Sequence, residues 1–119
     1  MKIKINFWIN SEQIPYGEVN INYITNNKAI NQFLNNDIQF NKVSCLEIIE
    51  KTNKVLNGIN KYYETTGNCC TLVVNKHNVS IINEYTEDIS EKINITDFKI
   101  ILAHWLEFIK TRNPIEYSW

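Results

Sequence analysis

The sequence predicts an α+β domain in which one antiparallel β-sheet of about five strands is covered by two to three helices. Apolar residues recur at helical spacing towards the C-terminal end, and they alternate with polar residues in several short segments elsewhere. Strands and helices fall into separate groups in the order β-β-α-α-β-β-β-α. A doubly wound α/β fold would instead alternate strands with helices.

Two segments near the N-terminal end have the two-residue period of a half-buried strand. Apolar residues occupy every second position from Ile3 to Ile9 and again from Val19 to Tyr23. Because successive side chains of a strand point to opposite faces, each segment presents one apolar face. Pro15 and Gly17 lie between the two segments and predict a turn. We therefore expect an antiparallel ribbon.

Two helices are predicted in the next part of the chain. Residues 29–34 allow one short helix, which we expect to end at residues 35–37, Asn-Asn-Asp. The longer helix is expected to begin at Ser44, because Ser44 and Glu47 match a capping box. Gly58 is a typical helix terminator, since glycine adopts the left-handed conformation at low cost.

The middle of the chain predicts a β-meander. Residues 62–66, 69–74 and 79–85 suit strands, and the intervening residues Gly67-Asn68 and 75–78 suit turns. Val79, Ile81 and Tyr85 are expected on one face of the third strand.

The last helix has the clearest pattern. Thr96 is the expected N-cap, and Asn113-Pro114 is expected to stop the helix. Between Thr96 and Lys110, apolar residues recur at intervals of three and four, so they share one buried stripe. These residues are Phe98, Ile101, Leu102, Trp105, Leu106 and Ile109.

Length and composition predict a single domain over residues 1–119. The chain is 44% hydrophobic, which is enough to form one core. Its net charge of −1 argues against a direct nucleic-acid binder, which needs a basic face. The N-terminal segment lacks the continuous apolar stretch of a signal peptide, and no run of about 18 apolar residues suits a membrane span. We expect a cytoplasmic protein.

The sequence contains no recognisable catalytic or cofactor motif. His77 falls in a predicted turn and His104 at the edge of the last helix's apolar stripe, so each is interpreted as structural. The three glycines form neither a P-loop nor a dinucleotide fingerprint. We expect no cofactor and no catalytic residue.

The cysteines are interpreted as ordinary reduced thiols. Cys69 and Cys70 are adjacent, and neighbours on an extended strand point to opposite faces. They are therefore not expected to bind one tetrahedral zinc ion together with His77. We predict no metal site here, and Cys45 is expected early in a helix.

Four acidic residues cluster before the last helix. Glu84, Glu87, Asp88 and Glu91 lie within eight residues, and no basic residue occurs among them before Lys92. Two interpretations remain open, and both place the four side chains in solvent. The segment is either a hydrated loop or a docking surface for a basic partner, where carboxylates steer the encounter.

The C-terminal segment is unusually aromatic. Ile115, Tyr117 and Trp119 alternate after Pro114. The favoured interpretation is that this segment packs back on the domain in an extended conformation. The other is that Tyr117 and Trp119 anchor a partner, since both residue types are favoured at interfaces.

The second half of the chain resembles small bacterial immunity proteins, including those of contact-dependent growth inhibition systems. In that pattern a β-meander leads through an acidic connection into a helix of the type Phe-x-x-Ile-Leu-x-x-Trp-x-x-Phe. The matching positions span residues 60–110 and include Thr66-Gly67-Asn68, residues 75–81, Ile95-Thr96-Asp97-Phe98, Ile101-Leu102, Trp105 and Phe108. The resemblance implies a cytoplasmic antidote that binds the C-terminal toxin domain of a delivered effector, commonly a nuclease.

These observations predict a non-enzymatic, monomeric immunity protein that neutralises its cognate toxin by covering the active site or substrate surface. The expected toxin is a basic nuclease, acting on RNA, tRNA or DNA. The predicted contact residues are Glu84, Glu87, Asp88, Glu91, Tyr117 and Trp119. Two alternatives belong to other classes: a small enzyme with an unrecognised site, and a homodimeric regulatory protein joined through an exposed strand edge.

Overall fold

The computed structural model describes residues 2–119, which form two antiparallel β-sheets and a set of helices. One sheet has the strand order β2-β1-β7, and the other has the order β3-β4-β5-β6. The elements are β1 (Ile3–Ile9), β2 (Pro15–Ile21), α1 (Lys28–Gln32), a π-helical segment (Phe33–Ile38), α2 (Lys42–Leu56), β3 (Tyr62–Thr66), β4 (Cys70–Asn75), β5 (Asn78–Asn83), β6 (Ile89–Asn94), α3 (Ile95–Thr111) and β7 (Ile115–Ser118).

The predicted α+β class is confirmed, and the described residues contain seven strands in two sheets rather than about five in one. The additional strands are β6 and β7. In β6 a bulge opposes Ser90–Ile93 to Val79–Ile81, so Glu91 and Lys92 are both exposed and the two-residue period is lost. Strand β7 has only four residues, so its alternation of apolar and polar residues is short. It pairs with β1. The C-terminal segment therefore packs back, as favoured.

The two long helices begin slightly earlier than predicted. The side chain of Asn41, rather than Ser44, caps α2 by accepting a hydrogen bond from the Ser44 N–H at 3.0 Å. Asn94, rather than Thr96, caps α3 through the Thr96 N–H at 2.9 Å. Asparagine caps a helix as well as serine or threonine does. Among residues 2–119, no helix is long and apolar enough to cross a membrane.

The short helix also continues past its predicted end. We expected it to stop at residues 35–37, but the chain instead enters the π-helical segment, which runs to Ile38. The side chains of Asn31 and Asn35 accept hydrogen bonds from the backbone of β2. These bonds explain why asparagine occurs within a helix here despite its low helix propensity.

Three asparagines, the N-cap of α1 and two residues of the helical stretch, cover the outer edge of β2. Each side-chain amide bonds both the N–H and the C=O of one strand residue, as a neighbouring strand would; the pairs are Asn27 with Ile21, Asn31 with Val19, and Asn35 with Gly17. Four residues of an α-helix rise about 6 Å. Two residues of a strand rise about 6.7 Å, so the two repeats match closely enough to stay in register.

The core is built around Trp105 on α3. Its side chain is fully buried, and its ring meets Phe7 of β1 edge-on with the centroids 4.8 Å apart. Its Nε1 donates a hydrogen bond to the Gln39 carbonyl at 2.9 Å. A Cβ on Gly17 would lie 2.6 Å from the indole, so the strand needs glycine at this position. The predicted apolar stripe of α3 is confirmed except at Leu106, which is only half-buried, and Phe108 is a further buried member.

We predict that Trp105→Ala lowers the free energy of unfolding by about 3–5 kcal/mol, because it leaves a large cavity. It also removes the partner of the Gln39 carbonyl. Chemical denaturation followed by circular dichroism measures this change. Lys110→Ala, at an exposed position of the same helix, is the control and should change stability little. Equal stabilities of the two variants would contradict this description of the core.

Candidate partner-binding site

The predicted acidic segment forms a tight turn between β5 and β6. Asn83, which is buried, organises it: its Oδ1 accepts hydrogen bonds from the N–H groups of Tyr85 and Thr86 at 2.9 and 3.0 Å. The backbone of Asn83 also bonds the Glu87 N–H and the Asp88 carbonyl. We call residues 84–91 the acidic turn; they comprise the connection itself, residues 84–88, and the first three residues of β6. Its backbone is held by the asparagine rather than left free in solvent.

Tyr85 is the most exposed large side chain of this turn, with 80% of its surface accessible. The sequence placed it on the inner face with Val79 and Ile81, and that prediction is wrong. The strand ends at Asn83, so the two-residue period no longer applies at position 85. Glu84 and Glu87, both exposed, flank the ring in sequence. The asparagine followed by a polar run was the available signal for a turn here.

Asp88 differs from the other three acidic residues. Its carboxylate accepts hydrogen bonds from Thr86 Oγ1 at 2.8 Å, Asn26 Nδ2 at 3.2 Å and Gln32 Nε2 at 3.3 Å. These bonds, that from Thr86 foremost, lower the pKa of Asp88. The expectation that all four acids are exposed is therefore wrong for Asp88, which is partly covered. Asp88 ties the turn to the helical stretch.

Glu91 lies at the rim of an open cleft between β6 and the loop that follows β2. The cleft has a volume of about 500 Å³. Glu87, Glu91 and Lys92 contribute its charges, and the exposed Ile89 contributes an apolar patch. The opposite wall is formed by the loop residues Tyr23, Ile24, Thr25 and Asn26.

Tyr117 and Trp119 lie on the other sheet, at β7. The backbone N–H of Trp119 donates to the Ile3 carbonyl at 3.0 Å, and its indole Nε1 donates to Asp97 Oδ1 at 3.1 Å. Trp119 is thus used mainly in the fold. Tyr117 remains 46% exposed and stacks on His104 with the ring centroids 4.4 Å apart. Of the two, Tyr117 is the one more available to a partner.

Tyr23 links the two groups of predicted contact residues. It lines the cleft of the acidic turn, and it also lines a second cleft with Lys2, Lys92 and Asp97. Its hydroxyl donates to Asp97 Oδ2 at 2.8 Å and accepts from the Asn94 N–H at 3.1 Å. Burial, together with the Asp97 carboxylate, raises the pKa of Tyr23 to about 12. The phenol therefore stays protonated and keeps donating at neutral pH.

The histidines are placed as the sequence predicted. His77 is exposed in the turn between β4 and β5, and His104 is half-buried on α3. Burial lowers the pKa of His104. Within residues 2–119, neither imidazole is hydrogen-bonded to a serine, threonine or cysteine side chain.

The cysteine pair departs from its prediction. Cys69 Sγ and Cys70 Sγ lie 3.0 Å apart, so the expectation that they point to opposite faces is wrong. Strand β4 begins at Cys70, and Cys69 precedes it, so strand geometry does not govern the pair. Asp37 adds a carboxylate to the cluster. Cys45 is buried in α2, as expected for an ordinary core thiol.

No family model, curated protein or solved structure matches the chain.

We predict that Asp97 makes stability depend on acid pH. Burial opposes its ionisation, but hydrogen bonds from Trp119, Tyr23 and Lys2 outweigh burial and lower the pKa of Asp97. A carboxyl whose pKa is lowered by folding stabilises the protein above its unfolded value of about 3.9. That contribution is lost as the pH falls through the lower, folded value.

Asp97→Asn should therefore be less stable than the parent at pH 7, and the gap should narrow as the pH falls below about 4. Melting temperatures measured from pH 7 to about pH 2 provide the test, with Glu107→Gln on the exposed face of α3 as the control. A gap that stays constant over this range would rule out the ionised network.

Proposed function

We propose that this chain is a non-enzymatic immunity protein that binds and neutralises a cognate toxin domain in the cytoplasm. The observation that carries the proposal is the acidic turn. A highly exposed tyrosine projects between exposed glutamates from a backbone fixed by Asn83 and Asp88. Tyrosine is a frequent anchor of protein interfaces. A preordered turn binds at a smaller entropy cost than a mobile loop.

The net charge of the C-terminal half of the chain, which contains the acidic turn, indicates the chemistry of the partner. Residues 62–119 contain five basic and eight acidic residues, a net charge of −3, whereas residues 1–61 have a net charge of +2. An acidic surface attracts a basic one before contact. Nucleases present basic surfaces to phosphates. We therefore propose a nuclease domain as the partner, with the turn covering its active site or its substrate surface.

Each part of the turn has a role in this proposal. Glu84, Glu87 and Glu91 steer the encounter, and Tyr85 provides the apolar contact. Asp88 holds the turn in place through Asn26 and Gln32. Tyr117, which lies on the other sheet, is a secondary contact. The chain acts as a monomer.

The test is co-expression with the protein encoded by the open reading frame next to this chain's gene. We expect this chain to relieve that protein's toxicity and to form an isolable complex with it. Changing Glu84, Glu87 and Glu91 together to lysine should slow association by at least about tenfold at low salt, and should flatten its salt dependence. Surface plasmon resonance over a range of salt concentrations measures both effects.

The matched control reverses three exposed acids outside the turn, Glu12, Glu18 and Glu107, so that the net charge changes equally. Both variants should keep the parent's circular dichroism spectrum, because exposed substitutions cost little stability. Equal loss of association in both variants would assign the effect to net charge and remove the turn from the interface. No complex and no relief of toxicity would overturn the proposed function itself.

A further inference from the structure

Asp37, Cys69 and Cys70 form a cluster of metal-ligating groups that the proposed function does not use. One ligand atom from each residue lies within 4.8 Å of the other two, and the two sulfurs are 3.0 Å apart. Cys70 is buried, whereas Cys69 and Asp37 are partly exposed. The cluster is therefore reachable from solvent on one side.

The backbone N–H groups of the two cysteines hold the Asp37 carboxylate beside them. Asp37 lies in the π-helical segment, and such segments occur often at functional sites. Its Oδ1 accepts a hydrogen bond from the Cys69 N–H at 2.9 Å, and its Oδ2 accepts one from the Cys70 N–H at 3.1 Å. A Cβ on Gly67 would come within 2.8 Å of Oδ2, so glycine at 67 allows this close approach.

We propose that Asp37, Cys69 and Cys70 bind a thiophilic divalent cation of the zinc class. Two thiolates and one carboxylate provide three of the four ligands of a tetrahedral site, and water completes it. Zinc–sulfur bonds of about 2.3 Å in a tetrahedron place the sulfurs about 3.8 Å apart. Cys69 lies outside β4 and is partly exposed, so a small rotation of its side chain provides the added separation.

The binding step exchanges protons for the metal without any change of oxidation state. Two S–H bonds break, two protons pass to solvent, and two metal–sulfur bonds form. Burial raises the pKa of both thiols, and the Asp37 carboxylate raises it further, so both are protonated in the metal-free protein. Affinity should therefore fall with acid, by up to about a hundredfold for each pH unit.

The Asp37 carboxylate also disfavours the alternative state of the cluster, a disulfide between the two cysteines. Oxidation by a disulfide reagent needs a thiolate as the nucleophile. A fixed negative charge beside the thiols disfavours that thiolate. A bound cation reverses the effect, because it is attracted by the carboxylate and stabilises both thiolates at once.

The test titrates the reduced full chain with Cd²⁺, whose thiolate complexes absorb in the ultraviolet, and then displaces it with Zn²⁺. We expect one Cd²⁺ per chain and release of two protons. Cys69→Ser and Asp37→Asn should each weaken Cd²⁺ binding by at least about tenfold. Cys45→Ala, which removes the thiol of α2, is the control and should bind as the parent does.

Circular dichroism checks the folding of each variant. If a variant folds poorly, the effect of Zn²⁺ on the melting temperature of the well-folded proteins provides a second test. Zn²⁺ should raise the melting temperature of the parent and of Cys45→Ala, since a ligand of the folded state stabilises it. Equal binding by the parent and Cys69→Ser would overturn the proposal. So would an intact-protein mass showing a disulfide after preparation with reduced glutathione. The test involves no partner protein, so its result and that of the proposed function are separate.

Discussion

The rest of the structure depends on the helical stretch formed by α1, with its N-cap Asn27, and the π-helical segment, because this stretch hydrogen-bonds to both β-sheets. Asn27, Asn31 and Asn35 bind the edge of β2 in one sheet. In the other direction, the Ile30 N–H donates to Ser90 Oγ on β6, and Gln32 bonds Asn83. The stretch thus fixes the sheets relative to each other through directional polar bonds, in addition to the apolar core that they share.

This connection has consequences for strand edges and for both proposed sites. The asparagines occupy the donors and acceptors along β2, so that edge is closed to another chain. The bulge in β6 interrupts the edge of that strand. Of the two remaining sheet edges among the described residues, β3 and β7, β3 is the longer. The same stretch holds the acidic turn through Asp88 and Gln32 and brings Asp37 to the cysteines. Recognition and metal binding are therefore proposed on one scaffold.

Periodicity predicted most of the elements, and it failed where a local polar contact replaced it. The stripe of α3 and the strands β1, β4 and β5 follow from apolar spacing, because burial selects one face. Tyr85 was placed wrongly because the hydrogen bonds of Asn83 end β5. Cys69 was placed wrongly because its N–H turns to a carboxylate 32 residues away in sequence. The four-residue spacing of Asn27, Asn31 and Asn35 was visible in the sequence. It is not a hydrophobic pattern, however, and its role is evident only once β2 is seen to lie beside these side chains.

Amide hydrogen exchange measured by NMR in the parent and in Asn31→Ala tests the bridging role of the helical stretch most directly. In the parent, the Val19 amide should be protected from exchange although it points away from the sheet at the edge strand β2, where no other strand pairs with it. In Asn31→Ala, its protection should fall by about fivefold to 160-fold, as for loss of about 1–3 kcal/mol. The amides of Tyr85 and Thr86, which Asn31 does not bond, should also exchange faster. Asn20→Ala, at an exposed position of β2, should change neither. Rapid exchange at Val19 in the parent, or identical protection in the two variants, would contradict this account.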